Sequence, residues 1–401
     1  MIRSLGSWKL GLMMAALAVA ACSPSKTADK GGSDGGSGGS AGGESCTNGQ
    51  TTAGACERTF RTSNDAFCHG GDGEGCSVEP NCGPSGSRPI DSCCVLVAAP
   101  GKGPNKTLAR TTDTRKYASP SGGEPDLSCF EAGHYPVLSN DTSPVTMKGR
   151  LIAFASGCDL VGVKIEVFKV RRTGVPETDG ELGELVGSPV ITTDANEIEL
   201  EDVEKCQDPR KDRLYEYPGV PKNTELVVKT SAASASDGWS PFYTYNLYIT
   251  DDDPDLSGDV YTRELEAMAN DDFGTIPSAA IGRTITAGNG AIGGEVHDCR
   301  NVRLQNAMVD VSVSRVGLVY FNESEDNPFP DVTRTQLGTG RTGLYAALDV
   351  KPGPVRVAAT GLVPDGNGCN RLVSLGYYDI RVFPDGVTSV SMRGLRAFQA
   401  P

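Results

Sequence analysis

Gly149-Arg-Leu-Ile-Ala-Phe154, Cys158 and Val161-Gly-Val163-Lys-Ile165-Glu-Val167 form a phrase that the chain writes twice. The second version is Gly294-Glu-Val296, Cys299 and Ala307-Met-Val309-Asp-Val311-Ser-Val313. In both, a strand ends near a cysteine, a short turn follows, and a second strand alternates apolar with polar residues. That period of two marks a strand with one buried face. The likeness continues downstream. Tyr215-Glu-Tyr217-Pro-Gly219 and Leu226-Val-Val228 answer Tyr345 to Val350, Lys351-Pro-Gly353 and Val355-Arg-Val357. Tyr243-Thr-Tyr245-Asn-Leu247-Tyr-Ile249 answers Tyr377-Tyr-Asp-Ile380-Arg-Val382. Pro-Gly and Thr-Gly supply turn dihedrals, and strands of this period pack as two sheets face to face. The pattern predicts a mostly β chain with tandem β-sandwiches over 145–252 and 289–401.

The order of these strands resembles the carboxypeptidase regulatory-like domain, a transthyretin-like β-sandwich. The second copy carries the better match. It opens on Gly294-Glu-Val296 and continues through Asn306-Ala307-Met308-Val309. It then has the Thr342-Gly343-Leu344-Tyr345 hairpin and a Pro-Gly turn before Val355-Arg-Val357. The first copy lacks the Thr-Gly-x-Tyr hairpin and carries a long insertion around Arg171 to Leu185. The resemblance is to an accessory domain, so peptidase activity does not follow from it. A metallocarboxypeptidase would need a separate domain with clustered His and Glu ligands. This chain has only His69, His134 and His297, far apart in sequence.

Outward from the repeats, the N-terminus has a different character. Arg3 and Lys9 precede an apolar run from Leu10 to Ala21. The run is shorter than the roughly 20 residues of a spanning helix and suits the core of a secretory signal. It ends Val19-Ala20-Ala21-Cys22, which resembles the lipobox of bacterial lipoproteins. The resemblance implies removal of residues 1–21 and acylation of Cys22. Several acyl chains hold a protein firmly where one holds it marginally. Ser23 stands where an inner-membrane retention signal of that family would carry Asp, which implies an outer-membrane address. Residues 22–45 are a Gly/Ser tether that behaves as a flexible coil. Losing Arg3 and Lys9 takes the 37 basic and 51 acidic residues to 35 and 51, a net charge of 35 − 51 = −16. Phosphates repel such a chain, so nucleic acid is excluded as a partner.

With Cys22 lipidated, twelve of the 13 cysteines remain, an even number in an exported chain. That reads as a disulfide framework. Residues 46–137 form a small cysteine-rich module that precedes the sandwiches and relies on covalent staples. The pairing of Cys46, Cys56, Cys68, Cys76, Cys82, Cys93, Cys94 and Cys129 stays open. Each sandwich holds two further cysteines, which predicts the bridges Cys158–Cys206 and Cys299–Cys369.

Between the sandwiches, 253–288 reads as an acidic linker with a short helix over Val260 to Ala269, where Tyr261, Leu265 and Met268 fall at helical spacing. Asp253, Asp255, Ser257 and Glu264 sit at the first, third, fifth and twelfth positions of a stretch resembling an EF-hand calcium loop. The competing reading is a solvated linker that caps the helix. Trp239, Phe242, Tyr243, Tyr245 and Tyr248 form the densest aromatic cluster. If exposed, Trp239, Phe242 and Tyr248 could stack on sugar rings; core packing is the other reading. The sum is a non-enzymatic, lipid-anchored envelope protein, structural or adhesive, with a protein or polysaccharide partner. A carbohydrate-binding lipoprotein is the alternative. Ca²⁺ is the one cofactor suggested.

Overall fold

The computed structural model describes residues 50–51, 106–111, 123–130, 133–155, 158–175, 178–199, 211–324, 328–364 and 370–399. The leader, Cys22, the tether, the seven cysteines from Cys46 to Cys94, Cys206 and Cys369 lie outside them. Every described residue falls in the compact unit Cys46–Pro401.

The first copy of the repeat forms β1 (Pro144–Ala153), β2 (Val163–Arg171), β3 (Glu181–Ile191), β4 (Lys211–Pro221), β5 (Leu226–Ala232) and β6 (Phe242–Leu247). Then come β7 (Val260–Thr262), β8 (Leu265–Ala269) and helix α1 (Asn270–Ile281). The second copy supplies β9 (Gly290–His297), β10 (Met308–Val311), β11 (Gly317–Phe321) and β12 (Leu344–Val350). It ends with β13 (Gly353–Pro364), β14 (Asn370–Val382), β15 (Val387–Val390) and β16 (Met392–Arg393). The mostly β class read from the period-two pattern is the fold observed.

The strands make three principal sheets. A seven-stranded sheet is built around β1, with β4 antiparallel on one side and β7 and β8 parallel on the other. A four-stranded sheet holds β14, β13 and β10. A ten-stranded sheet runs β11-β12-β9-β15-β6-β5-β2-β3 and belongs to both copies. Its halves join where β6 pairs parallel with β15, from Phe242 opposite Val387 to Tyr245 opposite Val390.

The shared sheet walls two cores, one on each face. Leu226 and Val228 of β5 join Met147, Ile165, Val167 and Tyr217 in the first core, while Val227 between them points into the second. Alternate side chains of a strand point to opposite faces. The second core lies against the four-stranded sheet and gathers Tyr243, Ile292, Tyr345, Val357 and Ile380. At the outer edge, β3 carries Glu181, Glu184 and Pro189, with register shifts against β2. Charge, proline and bulges at a sheet edge oppose pairing with another chain.

One contact shows that the repeat is structural. Gly149 pairs with Tyr215, and Gly294 pairs with Tyr345. A Cβ on Gly149 would lie 2.0 Å from the Arg263 carbonyl oxygen; a Cβ on Gly294 would lie 2.0 Å from that of Val390. The paired tyrosines donate their hydroxyls to those same oxygens, at 2.7 and 2.6 Å. Each glycine therefore admits the carbonyl of a neighbouring segment, and each tyrosine holds that carbonyl in place.

Two expectations are corrected. Val260 to Ala269 is not a helix: it forms β7 and β8, which extend the first sandwich into the expected linker. The helix is the next segment, Asn270–Ile281, closed by Gly282 in the left-handed conformation at φ 73°. The second correction concerns sulfur. Cys299 is bonded to Cys129 and not to Cys369. Residues 126–130, expected in the cysteine-rich module, lie against the turn after β9. Asp298 accepts from the Asp126 amide at 2.9 Å, and the Cys299 amide donates to the Asp126 carbonyl at 2.9 Å. Residues 106–111 are also docked there. Leu108 is buried against Gly361, and Arg110 reaches Asp298 at 2.6 Å. Cys158 is disulfide-bonded, with its partner outside the described residues.

Candidate functional site

The face of the shared sheet that backs the first core runs on past it, and there the side chains shrink. Register aligns Val167, Val228, Thr244, Ser389, Gly293 and Ala346 in one row across β2, β5, β6, β15, β9 and β12. The neighbouring row holds larger groups, Phe242 opposite Val387. Where the valines give way to Thr, Ser, Gly and Ala, a cavity of about 310 Å³ opens. Phe154 and Met268 wall it from the seven-stranded sheet, Phe273 and Ile276 from α1, and Phe321 from β11. Phe154 and Phe321 meet edge to face, with ring centroids 6.1 Å apart. Interiors pack to the density of organic crystals and leave few voids larger than a water. Apolar walls with a few hydroxyls are the usual make-up of a small-molecule site, and the volume falls at the lower end of such sites.

The lining carries charge of both signs. Arg263 and Arg393 stand with Asp255, Glu264, Glu266, Asp272 and Glu295. Glu264 is engaged by Arg150. Glu295 accepts from Arg303 at 2.5 Å and faces His297 Nε2 at 2.8 Å. His297 is fully buried, and its Nδ1 lies 2.9 Å from the Asn301 carbonyl oxygen. A carbonyl can only accept, so Nδ1 carries a proton. Burial lowers the pKa of this imidazole, and the hydrogen bond to Glu295 opposes that shift. The Glu295, His297 and Arg303 side chains thus fix the end of β9 beside the cavity.

The structure does not assemble the calcium loop. Leu256 pairs with Tyr261 and Ser257 with Val260, so the middle of the stretch is a hairpin turning at Gly258, φ 58°. Asp253 folds back to accept from the Asp255 amide at 3.0 Å, and burial raises its pKa. Glu264 turns to Arg150 instead. Among the described residues, no three His, Cys, Asp or Glu side chains are grouped to hold a metal. The glycan surface is also corrected. Trp239, Phe242 and Tyr248 are buried, at 7, 2 and 3% exposure. Trp239 donates to the Val161 carbonyl at 3.0 Å, and Tyr248 packs on Phe398 with centroids 5.3 Å apart. Both faces of β6 are covered, so alternation leaves no aromatic outside. Phe242 does serve a site, as part of the cavity wall. The small-residue floor escaped sequence reading. Its one signal was Gly293-Gly294 inside a strand, since glycine there marks close approach or missing bulk.

No family model matches the chain, and no curated protein matches it. Among solved structures it is similar to the shaft pilin spaA from Lactobacillus rhamnosus GG. Identity is 9%, the match covers 65% of this chain and 98% of that chain, and the TM-score is 0.16. A TM-score this low establishes no relationship of fold or function.

Proposed function

We propose that this is a non-enzymatic envelope protein, held at the outer membrane by lipid on Cys22. Its two sandwiches, of the carboxypeptidase regulatory-like kind, present a structural or adhesive surface to an envelope protein or polysaccharide. The observation that carries this reading is the joined frame. Pairing of β6 with β15 makes one sheet the wall of both cores. The Cys129–Cys299 bond then ties residues 126–130 to that frame. Such a build resists deformation, which suits a scaffold. Matching glycine–tyrosine contacts in the two copies support their kinship as modules. The non-enzyme reading is supported by the use made of polar groups: Glu295, His297 and Arg303 hold one another.

Metabolic labelling with palmitate, followed by fractionation, tests the anchor. Label in the membrane fraction for the wild type, lost in Cys22→Ser, is the expected result. An unlabelled cytoplasmic pool with reduced thiols would overturn it. Turnover of a peptide or ester panel by the purified protein would overturn the non-enzyme reading.

A further inference from the structure

We propose that the cavity between α1, β8 and the Thr244–Ser389–Gly293–Ala346 floor binds a compact, uncharged amphiphile with an aromatic or aliphatic body. This goes beyond the scaffold reading and does not depend on the lipid anchor. Three observations carry it. The first is how the space is made. A tightly paired sheet replaces valines by four small residues in consecutive strands, under a helix that bridges the gap. The space is therefore built by register and is not a packing accident at a loop. Second, its walls are Phe154, Phe242, Met268, Phe273, Ile276 and Phe321. Aromatic rings and a thioether favour an aromatic or hydrocarbon guest. Apolar cavities of about half this volume are known to bind benzene-sized molecules. Third, the charges in the lining are mixed, with two guanidiniums and five carboxylates. A charged end of either sign meets a like charge there. The Thr244 and Ser389 side chains on the floor are instead suited to a neutral hydrogen-bonding group.

Gly293 gives the test its precision. Its φ is not positive, and a Cβ built on it would first meet the Tyr345 carbonyl oxygen at 3.7 Å and Val387 Cγ1 at 4.0 Å, which is ordinary contact. A larger side chain therefore fits the backbone and projects into the cavity. The experiment titrates N-phenyl-1-naphthylamine into the full mature chain and follows its fluorescence. The probe is then displaced with 2-naphthol, 2-naphthoate or 2-naphthylmethylamine, which share one ring system and differ in head group. The expected result is saturable one-to-one binding, at least tenfold weaker in Gly293→Val with the thermal midpoint retained, and strongest displacement by 2-naphthol. Ser389→Val fills the same space from the adjacent strand and should reproduce the loss if Gly293→Val folds poorly. Absence of saturable binding would overturn the proposal. So would unchanged affinity in a folded cavity-filling variant, or stronger competition by either charged naphthalene.

Discussion

Raising the pH should unfold this protein through its buried tyrosines. Tyr215, Tyr245, Tyr320, Tyr345, Tyr377 and Tyr378 are each no more than 3% exposed. Burial raises all six pKa values, that of Tyr377 to about 12 and that of Tyr378 well above the ordinary value near 10. In the unfolded chain they titrate near 10. The unfolded state therefore releases protons first, and stability falls as pH rises through about 10. At about pH 11 each phenol that stays protonated only in the native state costs about 1.4 kcal/mol of stability. Six amount to roughly 8 kcal/mol, comparable with the whole stability of an ordinary domain. Circular dichroism and phenolate absorbance, recorded against pH, should change together in one steep step between about pH 10 and 11.5. Tyr345→Phe refines the test. At neutral pH it deprives the Val390 carbonyl of its donor and should destabilise by about 1 kcal/mol. Near pH 11 it also removes a proton-release penalty of similar size, so the variant should match the wild type there. A gradual phenolate titration centred near 10, with the dichroism unchanged, would refute the reasoning, because it would mean that these hydroxyls reach water in the folded state.

Three more outcomes follow from particular contacts. Cys129 and Cys299 close a loop of 170 residues, worth roughly 5 kcal/mol on the chain-entropy account. The double Cys→Ala variant should lose several kcal/mol by urea titration, and a loss below about 1 kcal/mol would show the unfolded chain to be constrained already. Gly149→Ala and Gly294→Ala should each cost about 3 kcal/mol or more, because a Cβ would strike backbone at 2.0 Å. Gly293→Ala, one residue away from Gly294, should change the thermal midpoint little, and equal costs at 293 and 294 would contradict the geometry. Because one sheet walls both cores, calorimetry of the protein should show the two sandwiches melting in a single transition. Two well-separated transitions would mean that the β6–β15 seam opens independently.

What the sequence disclosed depended on how local the cause was. The period-two strands and the recurrence of Gly149 at Gly294 and of Tyr215 at Tyr345 were readable because each signal lies within a strand or recurs at equivalent places. Val260 to Ala269 was misread because Tyr261, Leu265 and Met268 mimic a helical stripe. They are buried at 3, 2 and 4% exposure, but in two strands, with Tyr261 and Leu265 in the first core and Met268 against the cavity. The true helix was hidden by its own composition, since Gly274 and Pro277 lie inside it and both weaken helix propensity. The sulfur pairing failed for a different reason. Counting two cysteines per copy assumes that each copy closes on itself. In the fold, the Asp298 carboxylate draws in the Asp126 amide, which carries Cys129 to Cys299 from 170 residues away.

The cavity is the extreme case of a non-local cause. Thr244, Gly293, Ala346 and Ser389 are unremarkable where they stand in the chain, and each would suit an ordinary strand. They become a floor only when the second copy's last strands pair with the first copy's β6 in one register. A slip of one residue at that seam would turn the second copy's strands over and set the Ile292, Tyr345 and Val390 side chains beside Thr244, because every side chain on those strands would change face. Those three bulky residues now fill the second core. The same register that packs that core therefore opens the space on the sheet's opposite face. The two features stand or fall together: a substitution that shifts the β6–β15 seam should abolish probe binding and core stability at once, whereas one that merely fills the space above Gly293 should separate them.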